Sequence, residues 1–191
     1  MKKLAEKIKN IPKPYFSFFD LLKISDIREN SLKVALSRLV KKGELVRIMK
    51  GWYAADPARV DWEVVACRLY APSYLSYEWV LARAGVLSQQ PAAITLATVR
   101  RGKIIESDYA GFHYHRLKKD YYWGYDRRGA VLAADKEKAL LDLAYLARKG
   151  YASFDAEEMN LKNIDRKRLA EYLKKFRSSG LENYLREKGV V

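Results

Sequence analysis

The chain has 191 residues, 49% of them hydrophobic, with 37 Lys+Arg against 23 Asp+Glu and a net charge of +14. That is enough apolar material for a real core in one large or two small domains. No apolar run approaches the roughly 18 residues of a membrane span, and the Lys-rich start lacks a signal-peptide core, so a cytoplasmic protein with no membrane partner is expected.

In chain order, Met1 to Ile11 reads as a first helix, with Leu4, Ile8 and Ile11 on one apolar face and Pro12 and Pro14 ending it. Phe16 to Leu22 follows as a short helix with Ser17 as its N-cap, and Lys23 to Arg28 suffices only for a turn. Glu29 to Lys42 is the central element. At 3.6 residues per turn it places Leu32, Ala35, Leu36, Leu39 and Val40 on one stripe, with Asn30, Val34, Ser37 and Lys41 opposite and Lys33 and Arg38 at the edges. Gly43 then serves as C′, and Leu45 to Met49 and Trp52 to Ala55 form a hairpin through Lys50-Gly51. Helix, turn, basic helix, hairpin is the order of a winged helix-turn-helix, whose second helix enters the major groove of DNA.

Residues 1–56 hold 13 basic and 6 acidic side chains, half of the net charge in less than a third of the chain. A basic surface can serve solubility alone, but here it coincides with a DNA-binding layout. The candidate DNA contacts are Asn30, Ser31, Lys33, Val34, Ser37, Arg38, Lys41 and Lys42 on the helix and Arg47 and Lys50 in the hairpin.

Asp56-Pro57 is the domain junction, giving a DNA-binding domain over 1–56 and a second domain over 57–191. In the second, Asp61 to Tyr70 is helical until Ala71-Pro72, and Cys67, the single cysteine, reads as a small buried apolar residue. Ser76 caps a helix over Tyr77 to Arg83 that Gly85 stops. Ile94 to Thr98 alternates as a strand, Arg100, Arg101 and Lys103 form a basic turn that is either solvated or adds phosphate contacts, and Phe112 to Leu117, Tyr121 to Tyr125 and Ala130 to Ala133 read as further strands. Asp135 starts a helix apolar around most of its circumference, of the kind buried against a sheet, with Leu140, Leu141, Leu143, Tyr145, Ile94 and Leu96 as core. A polar helix from Asp165 to Phe176 and a terminal one from Ser178 or Ser179 complete an α+β chain.

The search for chemistry points away from an enzyme and from any cofactor. His113 and His115 share a strand face, but no other histidine completes a metal set. There is no phosphate-binding Gly-rich loop with a following Lys, and no Gly-Ser with the paired aspartates a nucleotidyltransferase needs for two metals. The aromatics Tyr121, Tyr122, Trp123 and Tyr125 could stack on bases, with packing between sheet and helix as their ordinary use.

Five blocks, Tyr74 to Leu87, Ile94 to Thr98, Phe112 to Leu117, Gly124-Tyr125 and Glu137 to Leu143, with Gly51-Trp52-Tyr53-Ala54 at the wing, resemble the AbiEi family of antitoxins in order and spacing. One departure is Asp135-Lys136, where the family often shows Thr-Pro; Asp caps a helix as well as Thr does. The resemblance implies a winged helix-turn-helix followed by a mixed α/β antitoxin domain. It implies a type IV antitoxin that binds the double-stranded operator of its own operon, represses it, and opposes a cognate nucleotidyltransferase toxin without a stable complex. A stand-alone winged-helix regulator with a sensory or dimerising C-terminal domain, and a nucleic-acid-processing enzyme with an unrecognised carboxylate site, are the competing expectations.

Overall fold

The computed structural model describes residues 2–191, so the Met1 end of the expected first helix lies outside the described residues. The chain divides into two compact units, one of residues up to Val65 with Ile105–Ala110, the other of Ala66–Ile104 with Gly111–Val191. The first unit therefore runs past Asp56-Pro57. Trp62 and Tyr109, whose rings stack at 6.0 Å and 6°, join segment 105–110 to the rest of this unit.

In the first unit, helix α1 (Lys2–Lys9) leads to strand β1 (Tyr15–Ser17), α2 (Phe18–Ile24), α3 (Glu29–Lys41), and the hairpin β2 (Val46–Met49) and β3 (Trp52–Ala54). The sheet order is β1-β3-β2, both pairings antiparallel, with a bulge in β2 between Arg47 and Met49. Leu4 and Ile8 of α1 join Phe16, Leu21, Leu32, Ala35, Leu36, Leu39 and Leu45 in one buried cluster. The apolar stripe on α3 is thus core, with Val40 half-buried at its margin. β1 takes the place of the helix start expected at Phe16. The Tyr15 to Ser17 backbone pairs with Trp52 to Ala54; Ser17 caps α2 as the sequence suggested, and the helix itself begins at Phe18, two residues later than expected.

Next come α4 (Trp62–Leu69), β4 (Ser73–Leu75), α5 (Tyr77–Arg83), β5 (Ala93–Thr98), β6 (Lys103–Glu106), β7 (Gly111–Arg116), β8 (Tyr125–Arg128), β9 (Val131–Ala134), α6 (Lys136–Ala147), α7 (Arg166–Phe176) and α8 (Ser179–Glu187). The sheet order is β6-β7-β5-β4-β9-β8. β5 runs parallel to β7 over six residue pairs and antiparallel to β4, which is parallel to β9. From Ile94 to Thr98 every β5 side chain is buried. The strand expected over Ile94 to Thr98 is present, and in mid-sheet, covered on both faces, its apparent alternation does not separate a buried face from an exposed one. Ten of the twelve α6 residues are buried, from Glu137 to Leu146, and the helix packs against α5, α7, α8 and β9.

Three readings of this region are corrected. Tyr121 to Tyr125 is not a strand: a 3-10 turn occupies Lys119–Tyr121, Gly124 follows at φ +74°, and β8 begins only at Tyr125. Its rings are half-buried and pack on neighbouring aromatics instead, Tyr121 stacking on Phe176 at 4.4 Å and Trp123 packing edge-on against Tyr172 at 5.2 Å. Ser76 stands at the N-cap of α5 but makes no capping bond, because its hydroxyl donates to Asp142 at 2.8 Å. Cys67 is half-buried, its sulfur 3.8 Å from the Leu132 carbonyl. No helix among the described residues is long and apolar enough to cross a membrane.

Candidate nucleic-acid interface

The local chemistry that positions α3 begins in α2. Ser17 Oγ accepts from the Asp20 N–H at 3.1 Å while the Ser17 N–H donates to Asp20 Oδ2 at 2.8 Å, a capping box that fixes where α2 starts. Burial pushes the Asp20 carboxyl up, but the Lys13 ammonium at 2.8 Å and the N–H and hydroxyl of Ser17 outweigh it and hold the carboxyl at about 2. At the other end of α3, Gly43 takes φ +69°, its N–H donates to the Val40 carbonyl, and the Glu44 N–H donates to the Leu39 carbonyl, each at 3.0 Å. This paired closure sends the chain directly into β2. The Phe18 N–H donates to the Gly51 carbonyl at 2.7 Å, tying the start of α2 to the hairpin turn.

With the apolar stripe buried, α3 presents Asn30, Ser31, Lys33, Val34, Ser37, Arg38 and Lys41 to solvent, and Val34 is 51% exposed. Lys42, Arg47 and Lys50 are exposed as well. One groove in this unit brings part of the set together. Lys33, Ser37, Val40 and Lys41 of α3 face Arg47, Lys50, Gly51 and Tyr53 of the hairpin, with Phe18 closing one end. No carboxylate lines it. Asn30, Ser31, Val34, Arg38 and Lys42 lie outside this lining. Lys33 is partly engaged: its ammonium bonds Glu29 Oε1 at 2.6 Å and sits 5.7 Å over the Phe18 ring. Sequence reasoning left Phe18 and Tyr53 out of the candidate DNA contacts, placing Phe18 only in the short helix after Tyr15 and Tyr53 only in the wing motif. It also gave no role to Phe19, 71% exposed on α2.

Comparison with known proteins bears on the fold. A crystal structure of the RV2827C protein from Mycobacterium tuberculosis is similar to this chain, with a TM-score of 0.60 over 96% of this chain and 73% of that one. The identity is 15%. The chain shares a mixed α+β fold with that protein. No family model matches the sequence, and neither does any curated protein.

The other residues singled out from the sequence lie in the second unit. The Arg100 guanidinium stacks 4.0 Å over the Tyr70 ring and donates to the Ala71 carbonyl, and Lys103 sits 5.2 Å over the same ring. Arg101 is exposed, its carbonyl accepting from the Tyr70 hydroxyl. Two of the three basic turn residues are therefore held against an aromatic ring. The His113 and His115 rings lie 6.5 Å apart, and His115 packs edge-on against Tyr77. Burial, then the neighbouring His113, pushes His115 below the usual imidazole range. Among the described residues no group of three or more His, Cys, Asp or Glu is arranged to hold a metal ion.

Proposed function

We propose that the first unit is a winged helix-turn-helix that binds double-stranded DNA, with α3 in the major groove and the β2–β3 hairpin as the wing over the adjacent backbone. The observation that carries this is the groove between them, whose lining holds Lys41, Arg47 and Lys50, together with the Glu29-paired Lys33, and no carboxylate, on the helix that also exposes Asn30, Val34 and Ser37. Cations at the edges suit phosphates. Short polar and apolar side chains between them suit base edges.

The wider reading is a cytoplasmic antitoxin of the AbiEi type, a binding protein and not an enzyme, that represses its own operon and counteracts a nucleotidyltransferase toxin. It is supported by the five blocks of resemblance, which fall on β4–α5, β5, β7, the Gly124-Tyr125 turn and α6. The DNA half is tested by measuring duplex affinity of the full chain against salt. Log K should fall with log salt at about −0.9 per phosphate contact, and Lys41→Ala and Arg47→Ala should each flatten the slope by about one contact. Salt-insensitive binding, or a slope unmoved by both substitutions, would overturn it.

A further inference from the structure

The second unit holds a separate basic and aromatic groove that the DNA reading does not use. It opens between the end of β7 and the end of α6, and its walls include His115, Arg116, Lys118, Tyr145, Lys149 and Tyr151. Its volume is about 580 Å³, within the range of small-molecule sites. Three of these side chains are cations, no carboxylate lines the groove, and neither Arg116 nor Lys118 forms an ion pair among the described residues. The Lys149 ammonium lies 4.6 Å over the Tyr145 ring at the edge of the same groove. Tyr151 is 72% exposed although it follows a buried helix, and it shares the groove with these cations. An exposed ring offers a stacking face to a base at little cost in side-chain order.

We infer that this groove binds a nucleoside 5′-phosphate, the phosphates meeting Arg116, Lys118 and Lys149 and the base stacking on Tyr151. Cations with no paired carboxylate supply charge-assisted donors to phosphate oxygens, and the adjacent ring distinguishes a nucleotide from a bare anion. The same chemistry is presented by a free nucleotide and by the 5′-terminal nucleotide of a single strand.

The test is calorimetric titration of the full chain with ATP, GTP, CTP, UTP and inorganic triphosphate, repeated with short single strands carrying a 5′-phosphate or a 5′-hydroxyl. Saturable nucleotide binding is expected. Tyr151→Ala should weaken it about tenfold while sparing inorganic triphosphate, and Lys118→Ala or Lys149→Ala should weaken both ligands about tenfold. A 5′-phosphate strand that displaces the nucleotide, where the 5′-hydroxyl strand does not, makes a strand terminus the ligand; failure of both to displace it makes the free nucleotide the ligand. All three substituted residues are exposed, and Arg38→Ala/Lys41→Ala on α3 should leave nucleotide affinity intact. Absence of saturable binding, equal loss of both ligands in Tyr151→Ala, or loss only in the α3 variant would each overturn the inference. None of these results bears on duplex binding by the first unit.

Discussion

Lys138 and Asp142, one turn apart on α6, form an ion pair from which solvent is wholly excluded on both sides. Asp142 also accepts from the Tyr74 hydroxyl at 2.9 Å and the Ser76 hydroxyl at 2.8 Å, and the Lys138 ammonium bonds Tyr74 and lies among the rings of Tyr74, Trp123 and Phe176. Burial pushes the ammonium down and the carboxyl up, and each draws the other back toward its charged form. Desolvation of two charges competes here with four polar contacts. The pair therefore gives specific placement of α6 on β4 more surely than it gives stability.

Removing one partner strands the other. Asp142→Ala leaves the buried ammonium without its counter-charge and the Tyr74 and Ser76 hydroxyls without an acceptor, and should cost about 3–5 kcal/mol, whereas Lys138→Met/Asp142→Leu should cost clearly less than Asp142→Ala alone. Urea midpoints of the second unit's unfolding measure both. A double variant at the sum of its singles would mean that the two groups do not act as a pair.

The capping box of α2 makes an acid-limb prediction. The folded Asp20 carboxyl lies at about 2, below its ordinary 3.8, so its contribution is complete above pH 4 and is lost as pH falls through 2. More than a third of the side chain is exposed, and screening limits the contribution to about 1 kcal/mol. The protection of α2 amides, taken relative to the intrinsic exchange rate at each pH, should fall toward pH 2 in the wild type, while Asp20→Asn should be less protected at pH 6 with a flatter acid response. Identical acid profiles in the two would remove the carboxylate from the account.

Specificity should reside on the outward face of α3. Asn30→Ala should cost about 1–3 kcal/mol on a selected duplex and little on random DNA if the amide reads a base edge. Asn30 also sits in the first turn of the helix. An equal loss on both duplexes would assign it to the phosphate backbone or to the helix end.

What could be read in advance was local. The stripe of α3, the Gly43 stop and the Ser17 and Asp135 caps depend on neighbours within one or two turns, and the structure has them as expected. β1 has three residues and no pattern of its own; only pairing with β3, more than thirty residues on, makes it a strand. Tyr121 to Tyr125 carried a β signal because aromatic residues favour strands, but Tyr121 and Trp123 pack against Phe176 of α7 and Tyr122 and Tyr125 against Tyr74 of β4. Ser76 suited an N-cap by type, yet a buried carboxylate 66 positions away is its partner. The Lys138–Asp142 pair had a usable clue: on a helix apolar around most of its circumference, charged residues four apart must be buried together.

Repression and toxin neutralisation should be separable. Arg38 and Lys41 are exposed on α3, away from Leu32, Leu36 and Leu39, so Arg38→Ala/Lys41→Ala removes charge without opening a cavity and should change stability by no more than about 0.5 kcal/mol. Leu140, Leu141, Leu143, Tyr145, Ile94 and Leu96 are all buried within the second unit, which has its own core and should stay folded. If antitoxin activity lies there, the double variant loses its gel shift on the operator yet still restores growth to cells expressing the nucleotidyltransferase from an independent promoter. Both readouts belong on the same protein at matched levels. Loss of rescue alongside loss of the shift would make DNA binding the antitoxic act itself, and the second unit would then need another role.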